Sequence, residues 1–313
     1  MVCRAAITRG VRIALVSAEY ARHPHADELP RRLTALGHEV TRYAHSTLER
    51  DLATDRPDVV HAHSWLSGLA ALSAVQHTDI PVVQTCDGLD PAEHRLVKRV
   101  VGHTAARIVV ACQDDAAELV SSGVRRSRIS VVPAGVDTTV FNPEGPVAWR
   151  SERYRVIAAD DGADLVGAAM SGVPSAELVV PGDRVTPELL RSADAVVCVP
   201  KRDSLGRLAL AAMACGVPVV AQPVGALADV VVDGVTGVHV PTRQPRFLAQ
   251  VLRNLLADPV RRCTLGVAGR DRVECRYSWD RVAAEMVRIY ARSGAERAVP
   301  LPTGGDATDH SGQ

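Results

Sequence analysis

The chain has 313 residues, 47% hydrophobic and 23% charged, which predicts two domains, or one large one, with ample core. Its 36 basic and 36 acidic residues cancel, which argues against nucleic acid or an anionic membrane as the main partner. The seven cysteines are odd in number, contain no C-x-x-C pair and mostly sit in apolar runs, so buried free thiols in a reducing compartment and a cytoplasmic protein are expected.

Arg4, Arg9 and Arg12 flank IALVSA, a run too short for a signal-peptide core and suited to a first strand. No run reaches the ~18 apolar residues that a membrane crossing needs, so no integral membrane segment is expected. Strands are then predicted at Arg12–Ser17, Glu39–Tyr43, Asp58–His61, Pro81–Gln84, Arg107–Ala111 and Ile129–Val132. Helices fill the intervals at about Asp27–Leu36, Leu66–Ala74, Ala92–His103 and Asp114–Ser121. Strand alternating with helix is the pattern of a parallel sheet covered on both faces.

After VVPAGVDTTVFNP the chain loses periodicity to about Arg153, and alternation resumes. Strands are predicted at Arg155–Ala159, Glu177–Val180, Ala195–Val199, Val217–Ala221 and Gly237–Val240. Helices are predicted at Ala163–Met170, Pro187–Ser192, Leu205–Cys215, Pro245–Ala257, Pro259–Arg276 and from about Ser278 to Ala291. From Ser293 the composition is that of a disordered tail.

The stretch SADAVVCVPKRDSLGRLALAAMACGVPVV concentrates the chemistry. It reads as strand, polar loop, helix, turn, strand, and a loop entering a helix at a strand's carboxyl end is a natural anion site. Lys201 and Arg202 lie on that loop. A helix starting near Leu205 would set residues 203, 207 and 211 on one face, with Arg207 in the middle. His61 and His63 in HAHSW are two apart at a strand end, which is not the i, i+4 spacing of a helical zinc motif. With no Glu or Cys partner in view, no metal and no other cofactor is expected.

VVHAHSWLSGLA, ARIVVACQDDAAELVSSGVRRSRISVVPAGVD and the SADAVV…GVHV region together resemble the retaining family-4 glycosyltransferases of the GT-B type. The resemblance covers about Arg12 to Arg292 and is weak between Glu144 and Arg191, so a shortened second domain is expected. It implies two Rossmann-like parallel-sheet domains facing a cleft. Residues 1–145 would form the acceptor-side domain and 146–278 the nucleotide-sugar-side domain. Residues 279–292 would form a helix crossing back, and 293–313 the tail.

The same resemblance assigns places in the site. The family's glycine-rich turn after the first strand corresponds to AEYARHPHAD, which has no glycine. Its sugar-contacting His corresponds to Asp87, an acid that could accept hydroxyl hydrogen bonds or simply precede the turn at Gly88. Its diphosphate-gripping Lys corresponds to Asp161. Its two helix carboxylates correspond to Asp203 and Ala211. Catalytic roles are thereby expected at Asp87 and Asp203, donor contacts at Lys201, Arg202, Ser204, Leu205, Gly206 and Arg207, and acceptor contacts at His63 and Trp65.

Two readings follow. One is a glycosyltransferase using a nucleotide-sugar donor and a small polar acceptor. The other is a catalytically silent protein of the same fold, serving as a binding module or as the scaffold of a protein partner. An epimerase-like enzyme shares the architecture, but its usual carboxylates and histidines have no counterparts here.

Overall fold

The structure is a computed structural model that describes residues 10–17, 27–44, 47–86, 95–182 and 184–295. Asp87, most of AEYARHPHAD and all but the first three residues of the expected tail lie outside the described residues.

The first sheet holds β1 (Arg12–Val16), β2 (Glu39–Tyr43), β3 (Val59–His63), β4 (Val82–Cys86), β5 (Arg107–Val110) and β6 (Ile129–Val131) in the order β2-β1-β3-β4-β5-β6. Every pairing is parallel. Helices α1 (Glu28–Ala35), α2 (Leu48–Thr54), α3 (Trp65–Ala74), α4 (Arg95–Thr104) and α5 (Gln113–Ser121) alternate with these strands. Strands buried on both faces must be apolar throughout, and β1, β3 and β5 are nearly so.

The second sheet holds β7 (Tyr154–Ala158), β8 (Ala176–Val179), β9 (Ala195–Cys198), β10 (Val219–Ala221) and β11 (Gly237–His239) in the order β11-β10-β9-β7-β8, again parallel. Around it run α6 (Ala163–Met170), α7 (Pro187–Arg191), α8 (Arg207–Ala214), α9 (Ala226–Val230), α10 (Pro245–Ala257) and α11 (Pro259–Arg276). The starts of α7 and α11 are sharp for chemical reasons. Each has proline in its first turn, and Thr186 and Asp258 accept from Leu189 N at 3.3 Å and Arg261 N at 2.8 Å. One core lies under α8, another under α6 and α10, on opposite faces of the sheet.

Both sheets place their first strand between the second and third, so each has a switch point where the strand order reverses: β1/β3 in one lobe and β7/β9 in the other. Open parallel sheets bind ligands at the carboxyl ends of the strands flanking that point. The final helix, α12 (Trp279–Tyr290), belongs to the first lobe's core, where Met286, Ile289 and Tyr290 are buried with Ile13, Leu15 and Leu33. The two chain crossings are tied together where Val136 N donates to Tyr277 O at 2.8 Å.

Three local expectations are corrected. Helix α8 begins at Arg207, because Gly206 adopts a left-handed conformation (φ 63°) that no helix continues through. Asp203 therefore lies in the preceding loop and does not share a helix face with Arg207 and Ala211. Helices α2 and α9 lie where the sequence reading placed no helix. Of the described cysteines, four are buried, but Cys263 and Cys275 are exposed. Among the described residues no helix is long and apolar enough to cross a membrane.

Candidate functional site

The crevice over β7 and β9 is built by two loops. After β7 the chain runs through Asp160 and Asp161 to Gly162, whose φ of 99° starts α6. A side chain at Gly162 would come within 2.5 Å of Val199 O, so only glycine lets this loop close onto β9. Asp161, expected at the family's lysine place, is exposed and accepts from Lys201 N at 3.1 Å. It therefore shapes the neighbouring loop and adds negative charge to the crevice.

The loop after β9 is folded on one carboxylate. Asp203 Oδ1 accepts from Leu205 N at 2.9 Å and from Gly206 N at 2.7 Å, a local turn that presents the first residues of α8. From outside, Ala226 N donates to Asp203 O at 2.7 Å. The approach is so close that a side chain on Gly225 (φ 54°) would lie 1.9 Å from Asp203 O. Ala211, expected at the second carboxylate place, is buried in the core beneath α8.

The cations on these loops divide into two sets. Arg202 reaches across to the first lobe, 3.1 Å from Asp115 Oδ1 and 2.7 Å from Glu118 Oε2, and Ser204 Oγ lies 3.5 Å from the same Asp115 oxygen. Neighbouring contacts repeat the theme: Asp114 accepts from Gly225 N at 2.7 Å, and Asp229 accepts from Gln113 N at 2.8 Å. Acids and backbone donors at the starts of α5 and α9 thus clasp the lobes together. By contrast, Lys201 and Arg207 are exposed, and no ion pair engages their charged ends among the described residues. Sequence reasoning overlooked Arg243, which donates to Val199 O just after β9 and to Gln222 Oε1 just after β10 and has no carboxylate partner among the described residues.

On the first lobe, β3 ends at His63 and the chain turns at Ser64. Ser64 is the one described non-glycine residue with positive φ (73°). The turn is held by Gln84 Nε2, which donates to Ser64 O at 2.9 Å, and by the Ser64–Ser67 hydroxyl contact at 2.9 Å. Gly68 completes it, since a side chain there would meet Gln84 Oε1 at 1.9 Å. His61 is fully buried, 2.8 Å from Tyr290 Oη and 2.7 Å from Thr85 Oγ1. Burial, helped by neighbouring His63, pushes its pKa well below the usual histidine value. The two imidazoles lie 4.4 Å apart, and His63 is the one that reaches partial exposure at the carboxyl end of β3. Trp65 is buried in the core beneath α3 and α4, with no acceptor for its indole N–H among the described residues. Among the described residues no group of three His, Cys, Asp or Glu is arranged to hold a metal ion.

The residues missed by sequence reasoning, Asp114, Asp115, Asp229, Gly225 and Arg243, left only faint signals. Two acids opening α5 read as helix-start chemistry, and nothing in the spacing showed that they face another lobe.

Comparison with known proteins agrees with this architecture. The sequence profile described as Glycosyltransferase Family 4 matches residues 1–140, and that described as Glycosyl transferases group 1 matches residues 179–272. The interval between them contains the Asp160–Gly162 loop. A D-inositol 3-phosphate glycosyltransferase of Xylanimonas cellulosilytica is 32% identical over 305 residues, covering 77% of this chain and 73% of the relative. Among solved structures, a sucrose-phosphate synthase of Thermosynechococcus elongatus aligns with TM-score 0.76 at 21% identity, covering 90% of this chain and 98% of that one. The Anabaena protein HepE, in complex with UDP and glucose, aligns with TM-score 0.74 at 14% identity, covering 90% and 99%. Two switch-point lobes around a cleft, together with these matches, show that the chain belongs to the family-4-type glycosyltransferases of the GT-B fold.

Proposed function

We propose that the protein transfers a sugar from a nucleotide-sugar donor, bound over the β7/β9 crevice, to a small polar acceptor on the His63 side of the cleft. The observation that carries this reading is the Asp203 turn. It keeps the start of α8 presented to the crevice, with Lys201, Arg207 and Arg243 left to meet negative charge. The first N–H groups of a helix have no intrahelical acceptor and favour an anion there. The likeness to HepE, which was solved with UDP and glucose, supports a donor of this class.

In the transfer, the bond from the sugar's anomeric carbon to the donor phosphate breaks and a bond to the acceptor oxygen forms. The acceptor's proton passes to the departing diphosphate. The protein's part is positioning and charge stabilisation. Lys201, Arg207 and Arg243 neutralise the diphosphate, and Ser204, Leu205 and Gly206 supply the turn on which it rests. Asp203 Oδ1 is committed to that turn, leaving Oδ2 to accept a donor-sugar hydroxyl. Arg202 is committed to Asp115 and Glu118 and supports the donor through the loop's position. His63 faces the acceptor, with Trp65 as the packed floor beneath it. Asp161 opposes the diphosphate. An exposed carboxylate about 4 Å from another charge costs about 1 kcal/mol, which three cations outweigh.

A second reading, a silent binding or scaffold protein, is favoured by one specific arrangement: Asp161 at the lysine place and Ala211 buried at the second carboxylate place. A thermal-shift series with UDP-, GDP-, ADP- and dTDP-sugars separates the two. Donor at about a hundredfold excess over Kd stabilises by about 2.7 kcal/mol. Stabilisation followed by a glycosylated product supports transfer. Stabilisation without nucleotide release over long incubation supports the silent reading, and no stabilisation by any donor overturns nucleotide-sugar binding.

A further inference from the structure

Apart from the donor crevice, a cavity of about 740 Å³ opens where the chain crosses between lobes. That volume is in the range of small-molecule sites. Its apolar floor includes Val132 beside the first crossing, Val231 after α9 and Val282 on α12, so both lobes and both crossings wall it. None of Asp160–Gly162 or Lys201–Arg207 lines it.

Its charge is unevenly satisfied. Arg272, Arg276, Arg281 and Arg288 line the cavity together with Asp229, Asp233 and Glu285. Glu285 is paired with Arg288 at 2.6 Å, whereas Asp229 and Asp233 accept only from the backbone N–H groups of Gln113 and His239, each at 2.8 Å, and keep their charge. Arg272 is fixed by the carbonyl oxygens of Val230 (2.9 Å) and Asp229 (2.7 Å), with its guanidinium 5.8 Å from the centre of the Tyr277 ring. It meets no carboxylate among the described residues. Arg276 and Arg281 are exposed and form no ion pair among the described residues. Three guanidiniums outside any ion pair, one of them fixed by backbone carbonyls, thus share an apolar-floored cavity with the carboxylates of Asp229 and Asp233, and four arginines against three acids leave the lining one positive charge in excess. Guanidinium forks match phosphate oxygens in pairs.

We propose that this hinge cavity is a binding site, separate from the donor crevice, for a small phosphate ester. The phosphate lies against Arg272, Arg276 and Arg281, and the ester's body rests on the valine floor. Because the walls come from both lobes, the bound molecule contacts both sides of the hinge at once.

The test is calorimetric titration of the full chain with inorganic phosphate, AMP and glucose 6-phosphate, repeated on Arg276→Ser/Arg281→Ser and on Arg207→Ala. Saturable binding by wild type, weakened about tenfold or more in the double variant and changed less than about twofold in Arg207→Ala, is the expected result. Binding of phosphate alone with the same affinity as the esters would remove the valine floor from the proposal. Loss in Arg207→Ala with the double variant unaffected would place the ligand in the donor crevice and overturn the proposal. So would the absence of saturable binding by wild type. The outcome does not depend on whether nucleotide sugars bind.

Discussion

Arg202, on the loop after β9, and Asp115, at the start of α5, form an ion pair across the cleft at 3.1 Å. The pair is lopsided: the Asp115 side chain is 2% exposed and the Arg202 side chain 50%. Removing the arginine strands a buried carboxylate, whereas removing the acid only returns a half-exposed cation to water. Arg202→Ala is expected to cost about 2 kcal/mol and Asp115→Asn about 1 kcal/mol. Equilibrium denaturation measures both, and an equal or reversed order would show that the contact carries little weight. Small-angle scattering should show a larger radius of gyration for Arg202→Ala if the clasp holds the lobes together.

The two positive-φ glycines around the loop after β9 should behave differently. Gly225→Ala drives a methyl group into Asp203 O, which is rigid backbone, and is expected to cost about 3 kcal/mol or more and to weaken donor binding. Gly206→Ala meets nothing nearer than 3.5 Å and carries only the left-handed penalty, about 1 kcal/mol. Thermal denaturation of the two variants side by side checks the ranking.

Asp203 holds its own loop in a turn, and the proposed function adds a sugar-binding role; two substitutions separate them. Asn keeps an oxygen for Leu205 N and Gly206 N, so Asp203→Asn should lose no more than about 0.5 kcal/mol of stability while weakening sugar binding. Asp203→Ala should lose about 1 kcal/mol and the binding together. If Asn preserves donor affinity in full, the carboxylate does not touch the sugar.

Arg243 offers a cation where the β7–α6 loop offers carboxylates. Arg243→Ala should weaken nucleotide-diphosphate binding about tenfold, through loss of one charge-assisted contact. Isothermal titration with UDP and GDP gives the comparison, and an unchanged Kd would remove Arg243 from the donor site.

His61 makes stability depend on pH. Its folded pKa is depressed by burial, so the unfolded state takes up a proton first as pH falls, and stability is lost from about pH 6.5 downward toward the folded value. The slope from this one group is about 1.4 kcal/mol per pH unit. Denaturation of wild type and His61→Gln at about pH 7 and about pH 5 isolates it: the wild type should lose more than the variant. Equal losses would mean that His61 is not buried in its neutral form.

Both sheets were legible because doubly buried strands must be apolar, and AVVC, RIVV and VVHAH advertise that in one dimension. The bounds of α6, α10 and α11 were readable too, the last two opening on prolines. Helix α9 escaped because ALADV runs directly into further valines, a β-like composition whose helical state is set by docking on α5. The two-residue error at α8 has one cause, the left-handed Gly206, since a glycine's φ is invisible in sequence. The clasp was out of reach for a different reason. Asp115 and Arg202 are 87 positions apart, and each alone resembles an ordinary surface charge. That Asp203 folds back on its own loop was likewise unreadable, because Asp serves equally as a turn former and as a ligand.

The way the last helix returns to the first lobe has a practical consequence. Tyr290, bonded to His61, joins Val282, Ala283, Met286 and Ile289 of α12 in a core whose remaining buried members, from Val11 to Val132, all belong to the first lobe. A fragment ending near the first crossing would leave that apolar seat uncovered and should be insoluble, so no single cut yields two autonomous halves. A permuted gene, fusing the segment after Ser278 ahead of residue 10 through a short spacer, is the form in which the amino-terminal half can be expressed alone.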